Sequence, residues 1–189
     1  MIDLITAAHR FQVLCQSLNW EFCFIGGIAV QHWGEPRLTR DVDATVFIGF
    51  GAEMDFVSTV LKEYEPRLTD AREFAQRHRV LLVRTTTGVD FDIALAALPF
   101  EEQMIRRSAG VEYLPGIELR ICSAEDLIVL KCFASRPQDW RDVSSIIVRQ
   151  GSANLDWDYI VSNLEPLVAV KEEPQILQTL DSLRRTAAD

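Results

Sequence analysis

Apolar residues recur at helical spacing from Asp3 to Ser17, where Leu4, Ala8, Phe11, Leu14 and Cys15 fall on one stripe. Glu21 to Ile25 is a short apolar run that stops at Gly26-Gly27, and Gly27 to Trp33 then reads as a brief helix ended by Gly34 and Pro36. Val42 to Ile48 is rich in β-formers and is followed by Gly49 and Gly51, which predicts a strand and a turn. Glu53 to Tyr64 carries a helical pattern, and the polar stretch from Asp70 to His78 is helical or irregular. Arg79 to Arg84 and Val89 to Leu95 form two strand patterns joined by Thr85-Thr86-Thr87-Gly88, a hairpin connection.

Pro99 opens a further helix, with Glu101 and Glu102 in its first turn, where the helix dipole favours acids. A second hairpin follows, with Val111 to Leu114 and Ile117 to Ile121 flanking Pro115-Gly116. Ser123 is an N-cap with Asp126 three residues later, and the helix it opens runs to about Ala134. Beyond Pro137 the pattern is helical throughout: Gln138 to Arg149, Asp156 to Glu165 and Pro174 to Arg185. The chain thus divides into a mixed region, residues 1–121, and a C-terminal helical region, residues 122–189. Two hairpins in the first region imply an α+β fold with a mixed or antiparallel sheet, in place of a doubly wound parallel one.

Composition narrows the functional classes. Hydrophobic residues make up 48% and charged residues 25% of the 189, ordinary for a globular protein that buries a core. No apolar run approaches the ~20 residues that span a bilayer, and the start lacks the basic and apolar stretches of a signal peptide, so a cytoplasmic location with no membrane partner is expected. The formal charge of −9 disfavours extended duplex DNA, whose binding rests on neutralising phosphates. Cys15, Cys23, Cys122 and Cys132 are scattered among apolar residues, and His9, His32 and His78 are equally dispersed. Buried thiols are expected, and no zinc site.

The chemistry concentrates elsewhere. Gly26-Gly27 stands at a strand-to-helix junction, where a glycine lets backbone approach a ligand and the helix presents free N–H groups to a phosphate. In Asp41-Val42-Asp43 the two acids project from one strand face, side by side. At an effective dielectric of ~20, two such carboxylates ~4 Å apart repel by roughly 4 kcal/mol, so solvent, Arg37 or Arg40, or a divalent cation must compensate. In Val89 to Leu95, the residues Val89, Phe91, Ile93 and Leu95 fill one face while Asp90, Asp92 and Ala94 line the other. Pairing of this strand beside the first would assemble a three-carboxylate cluster able to hold two metals.

With a glycine turn, Asp41-Val42-Asp43 and a later strand acid, the sequence resembles the DNA polymerase β-like nucleotidyltransferase superfamily. Gly26-Gly27-Ile28-Ala29, the step Arg37-Leu38-Thr39-Arg40-Asp41-Val42-Asp43, the Asp92-Ile93-Ala94-Leu95-Ala96 segment and Ser123 to Lys131 with Asp139-Trp140-Arg141-Asp142 look like its AbiEii branch, which includes toxins of toxin–antitoxin systems. The resemblance covers about residues 20 to 145. It implies a polymerase β-like core with a mixed sheet flanked by helices. Asp41, Asp43 and Asp92 would ligate magnesium, with Asp92 helping to deprotonate the acceptor; Asp90 is the register-shifted competitor. Gly26 and Gly27 would cradle the nucleotide phosphates, flanked by Thr39 and Arg40, and Lys131 would reach the triphosphate. Lys131 has a second reading as a snorkelling lysine, and Asp139 and Asp142 either position it or cap a helix.

The implied activity is transfer of an NMP from an NTP to an acceptor hydroxyl on tRNA, a protein or a small molecule, with a cognate antitoxin protein as a further expected partner. The rival is a non-catalytic nucleotide-binding or protein-interaction module on the same fold.

Overall fold

In the computed structural model, which describes residues 1–187, seven strands join in one sheet. They are β1 (Glu21–Phe24), β2 (Asp41–Phe47), β3 (Glu65–Pro66), β4 (Val80–Arg84), β5 (Asp90–Ala96), β6 (Ala109–Leu114) and β7 (Ile117–Ile121), in the order β3-β4-β5-β2-β1-β7-β6. Pairing is mixed. β4–β5 and β6–β7 are the antiparallel hairpins expected from the sequence, β1 runs antiparallel to β2, and β2–β5 and β1–β7 are parallel. This is an α+β fold.

The central strands alternate as half-buried strands must. Val42, Ala44 and Val46 of β2 and Phe91, Ile93 and Leu95 of β5 are buried. Helix α1 (Ile2–Ser17) supplies Phe11, whose ring centroid lies 5.4 Å from that of Phe91, 6.4 Å from Phe24 and 6.0 Å from Tyr64. The remaining helices in chain order are α2 (Gly26–Trp33), α3 (Glu53–Val60), α4 (Ala71–His78), α5 (Pro99–Arg107), α6 (Ala124–Ala134), α7 (Pro137–Gln150), α8 (Trp157–Lys171) and α9 (Gln175–Thr186). At the start of α5, the Glu101 carboxylate accepts from the N–H groups of Ala97 and Leu98, each at 2.9 Å. At the start of α6, Ser123 Oγ accepts from the Asp126 N–H at 3.1 Å. Both caps satisfy donors that a helix leaves unpaired.

The chain forms two units: Met1–Ile28 with Leu38–Cys122, and Ala29–Arg37 with the chain from Ser123 onward. The segment Ala29–Arg37 is tied to the later helices by named bonds. Glu35 N–H donates to Ser145 Oγ at 3.1 Å, Gln150 Nε2 to the Trp33 carbonyl at 2.7 Å, and Arg37 pairs with Asp142.

Element ends differ from the sequence reading in physically informative ways. β3 has two residues, too few to show any period, and carries a proline permitted at an edge strand. Helix α8 continues through Pro166 to Lys171 instead of stopping at Glu165. An interior proline costs about 3 kcal/mol or more, which burial of Leu164 and Val168 on either side offsets. All four cysteines are buried thiols, and burial pushes the Cys15 and Cys132 thiols well above their ordinary range.

Phe11 is the hinge of the aromatic cluster, so Phe11→Ala is expected to lower unfolding stability by about 3–5 kcal/mol in urea titrations.

Candidate active site

Two Asp-x-Asp steps begin two parallel strands. β2 starts with Asp41-Val42-Asp43 and β5 with Asp90-Phe91-Asp92, and the ladder sets Asp41 beside Asp90 and Asp43 beside Asp92. A side-chain period of two then puts all four acids on one sheet face while Val42 and Phe91 enter the core on the other. One carboxylate oxygen from each of Asp41, Asp43 and Asp92 lies within 4.8 Å of the others, and all three residues are half-buried. Among the described residues no other three His, Cys, Asp or Glu side chains are so disposed.

Asp90 is drawn out of this group. Arg84 binds both its oxygens, one contact very short and the other 3.1 Å from Nη2, and Arg67 Nε stands 3.6 Å away. The Arg84 hydrogen bond holds the Asp90 carboxyl below its ordinary range against the opposing effect of burial, with help from the Arg67 charge. Asp92 is contacted by Arg67 Nη1 at 2.5 Å. The structure therefore groups Asp92, and not Asp90, with the β2 acids.

The glycine turn is fitted against these acids. Gly26 has φ +57°, and a Cβ added there would sit 1.9 Å from Asp43 Oδ2. A Cβ on Gly27 would sit 2.3 Å from Thr39 Oγ1. Gly27 N–H points at Asp43 Oδ2 over 3.3 Å, and Ile25 N–H donates to the Asp43 carbonyl at 3.0 Å. Buried Thr39 donates from Oγ1 to Asp41 Oδ1 at 3.2 Å, whereas Arg40 is exposed. Gly26, Gly27, Thr39, Asp41 and Asp43 thus form one connected patch.

Lys131 belongs to the second unit and is not a snorkelling lysine. Its side chain is 9% exposed, and Nζ lies 3.0 Å from Asp139 Oδ1 and 2.8 Å from Asp142 Oδ2. Burial of a charge requires partners, and these two acids supply them. Asp139 also accepts from the Arg136 N–H at 3.2 Å at the start of α7, so it both caps the helix and pairs with the lysine. Asp142 takes Arg37 in a two-point contact at 2.9 and 3.0 Å and Gln138 Nε2 at 2.9 Å. Burial alone would raise the Asp142 pKa, yet hydrogen bonds from Arg37, Lys131 and Gln138 hold it down to about 2.

Sequence reasoning did not find Arg67 or Arg84 as partners of the strand acids. Arg67 follows a two-residue edge strand with no periodic signal. Arg84 was visible as the end of a strand in a hairpin with β5, and only the register places it opposite Asp90.

Gly26→Ala is expected to displace Asp43 or fail to fold, seen as a loss of at least 2 kcal/mol in urea stability, because collision and positive φ act together. The Asp142 network is expected to give stability present above about pH 4, the unfolded carboxyl value, and lost as pH falls towards about 2. Its size is about 2 kcal/mol, and Asp142→Asn should remove this pH-dependent portion from urea titrations run between pH 6 and 2.5.

Residues 3–182 match the family described as "Nucleotidyltransferase of unknown function (DUF6036)". No curated protein matches the sequence. Among solved structures, the fold is similar to the crystal structure of an antigenic nucleotidyltransferase-like protein from Paracoccidioides brasiliensis, with TM-score 0.53 and 18% identity over 94% of this chain and 92% of that one. It is also similar to the solution structure of the antibiotic-resistance factor ANT(2'')-Ia, with TM-score 0.50 and 16% identity over 94% and 92% of the two chains. The family match spans nearly the whole sequence, and by it the chain belongs to this family and is a nucleotidyltransferase.

Proposed function

We propose that the protein transfers an NMP from an NTP to an acceptor hydroxyl, with release of pyrophosphate, and that Asp41, Asp43 and Asp92 hold the divalent ions this needs. The observation that carries the reading is the in-register pairing of the two acidic strand starts, which brings three carboxylate oxygens within 4.8 Å. The donor set fits magnesium. All three ligands are hard oxygens, and their partial exposure leaves room for water and phosphate. The Gly26 cradle supports the same reading, since the turn there admits no side chain beside Asp43. Bound magnesium would neutralise triphosphate charge and ease ionisation of the attacking hydroxyl.

The residues of the chain do the rest. Asp92 accepts the acceptor proton. Thr39 fixes the orientation of Asp41 by its hydrogen bond, and Arg40 offers an exposed guanidinium to a phosphate. The Gly26-Gly27 backbone lets phosphate oxygens approach the first turn of α2. Catalysis rests on alignment and charge compensation rather than covalent chemistry by the protein. Lys131 has its ammonium committed to Asp139 and Asp142, and we assign it a structural role in the second unit.

The charge of −9 supports a compact acceptor, a small molecule, a protein side chain or one tRNA terminus, over a long duplex. The AbiEii-like motifs support a toxin with a cognate antitoxin; a neighbouring reading frame whose product neutralises growth arrest by this chain would establish that role, and the lack of any growth effect would remove it.

Incubation of the protein with each α-labelled NTP, magnesium, total RNA and cell lysate is expected to label an acceptor. Asp43→Ala should cut that labelling at least 100-fold, and a chelator should abolish it. Equal labelling by wild type and Asp43→Ala would refute the metal assignment, and nucleotide binding without transfer to any acceptor pool would favour a non-catalytic module.

A further inference from the structure

Arg67 lies just beyond β3, and its N–H donates to the Leu82 carbonyl at 3.0 Å, which continues the β3–β4 ladder by one residue. Leu82 pairs with Asp92, and Asp92 with Asp43. A single row across four neighbouring segments thus runs Arg67, Leu82, Asp92, Asp43, and it ends the arginine's reach on the metal-facing acids. Its guanidinium contacts Asp92 Oδ1 at 2.5 Å, the Phe91 carbonyl at 3.4 Å and Asp90 Oδ2 at 3.6 Å. Asp90 is itself held by Arg84, so the arginine is braced from behind by an acid that a second arginine has fixed.

We propose that Arg67 is a positioning residue that serves as the internal counterion of the carboxylate group, competing with a divalent cation for Asp92. The inference rests on the metal reading given above. Three carboxylates within a few ångströms repel one another, and a chain that folds before any ion arrives must offset that repulsion itself. Arg67 offsets one of the three charges and fixes the side chain that carries it. An ion arriving alone therefore meets, at Asp92, a carboxylate that is already paired. Binding at Asp92 becomes favourable when the triphosphate adds its own negative charge and offers the guanidinium an alternative partner. This predicts ordered assembly, with full metal loading coupled to nucleotide binding.

The sign separates this role from a merely structural one. Removing a structural arginine weakens or leaves unchanged the affinity for a cation, whereas removing a competing counterion strengthens it. Calorimetric titration with Mn²⁺ alone, without nucleotide, is expected to show Arg67→Met binding about tenfold more tightly than wild type, as loss of a like charge beside a divalent ion requires. Arg67→Lys, which keeps the charge, should stay within about threefold of wild type. If Arg67→Met does not fold by circular dichroism, Arg67→Gln takes its place in the same comparison. Unchanged or weaker Mn²⁺ binding in the neutral variant overturns the proposal. Asp43→Ala distinguishes the two levels. If it binds Mn²⁺ as wild type does, the carboxylate metal reading fails and this inference with it; if it loses binding while Arg67→Met matches wild type, the counterion role alone falls.

Discussion

The structure turns on the parallel pairing of β2 with β5, which places one Asp-x-Asp step directly beside another. That pairing is electrostatically unfavourable by itself: like carboxylates at such separations repel by several kcal/mol in a partly buried setting. It is held by what lies on the opposite face, where Val42, Ala44 and Val46 and Phe91, Ile93 and Leu95 are buried and Phe11 of α1 packs over Phe91. A slip of one residue would send the aromatic and aliphatic set to solvent, so core burial fixes the register and the register fixes the acids. The apolar face of the sheet thereby holds a charge cluster that the polar face alone would disperse.

Charge compensation on the polar face is graded. Arg84 binds both oxygens of Asp90, Arg67 reaches Asp90 and Asp92, and the β2 acids adjoin the glycine turn and Thr39. Four acids of like type at one end of a sheet therefore acquire different roles from their neighbours. The second unit solves a related problem by other means. There Lys131 is buried and neutralised by Asp139 and Asp142, which Arg136 and Arg37 engage in turn. Such buried networks specify one arrangement, because any partial version strands a charge away from water.

Much of this was legible in the sequence. Alternation in Val89 to Leu95 and the β-rich run after Asp41 place the acids on a common strand face, and the Gly26-Gly27 junction marks the close approach. The hairpins, the Ser123 cap and the helical C-terminal region follow from local signals of the same kind. What the sequence could not carry was pairing. Whether β2 lies beside β5, and whether Asp90 or Asp92 joins the group, depends on register and on Arg67 and Arg84, residues whose partners are distant in the chain. Arg37 illustrates the same limit: the motifs after Ser123 already link Lys131 with Asp139 and Asp142, but nothing local announces that Arg37, 105 residues away, joins them at Asp142. Pro166 marks the opposite case: a strong local stop signal is overridden by burial of the residues around it.

The central claim is that three carboxylates on two parallel strands form the seat of the divalent ions. Its most direct test is a crystal structure grown with Mn²⁺ and a non-hydrolysable NTP, with anomalous scattering recorded at the manganese edge. Manganese peaks are expected within coordinating distance of Asp41, Asp43 and Asp92, next to the triphosphate. Manganese bound elsewhere, with these three side chains unengaged, would contradict it.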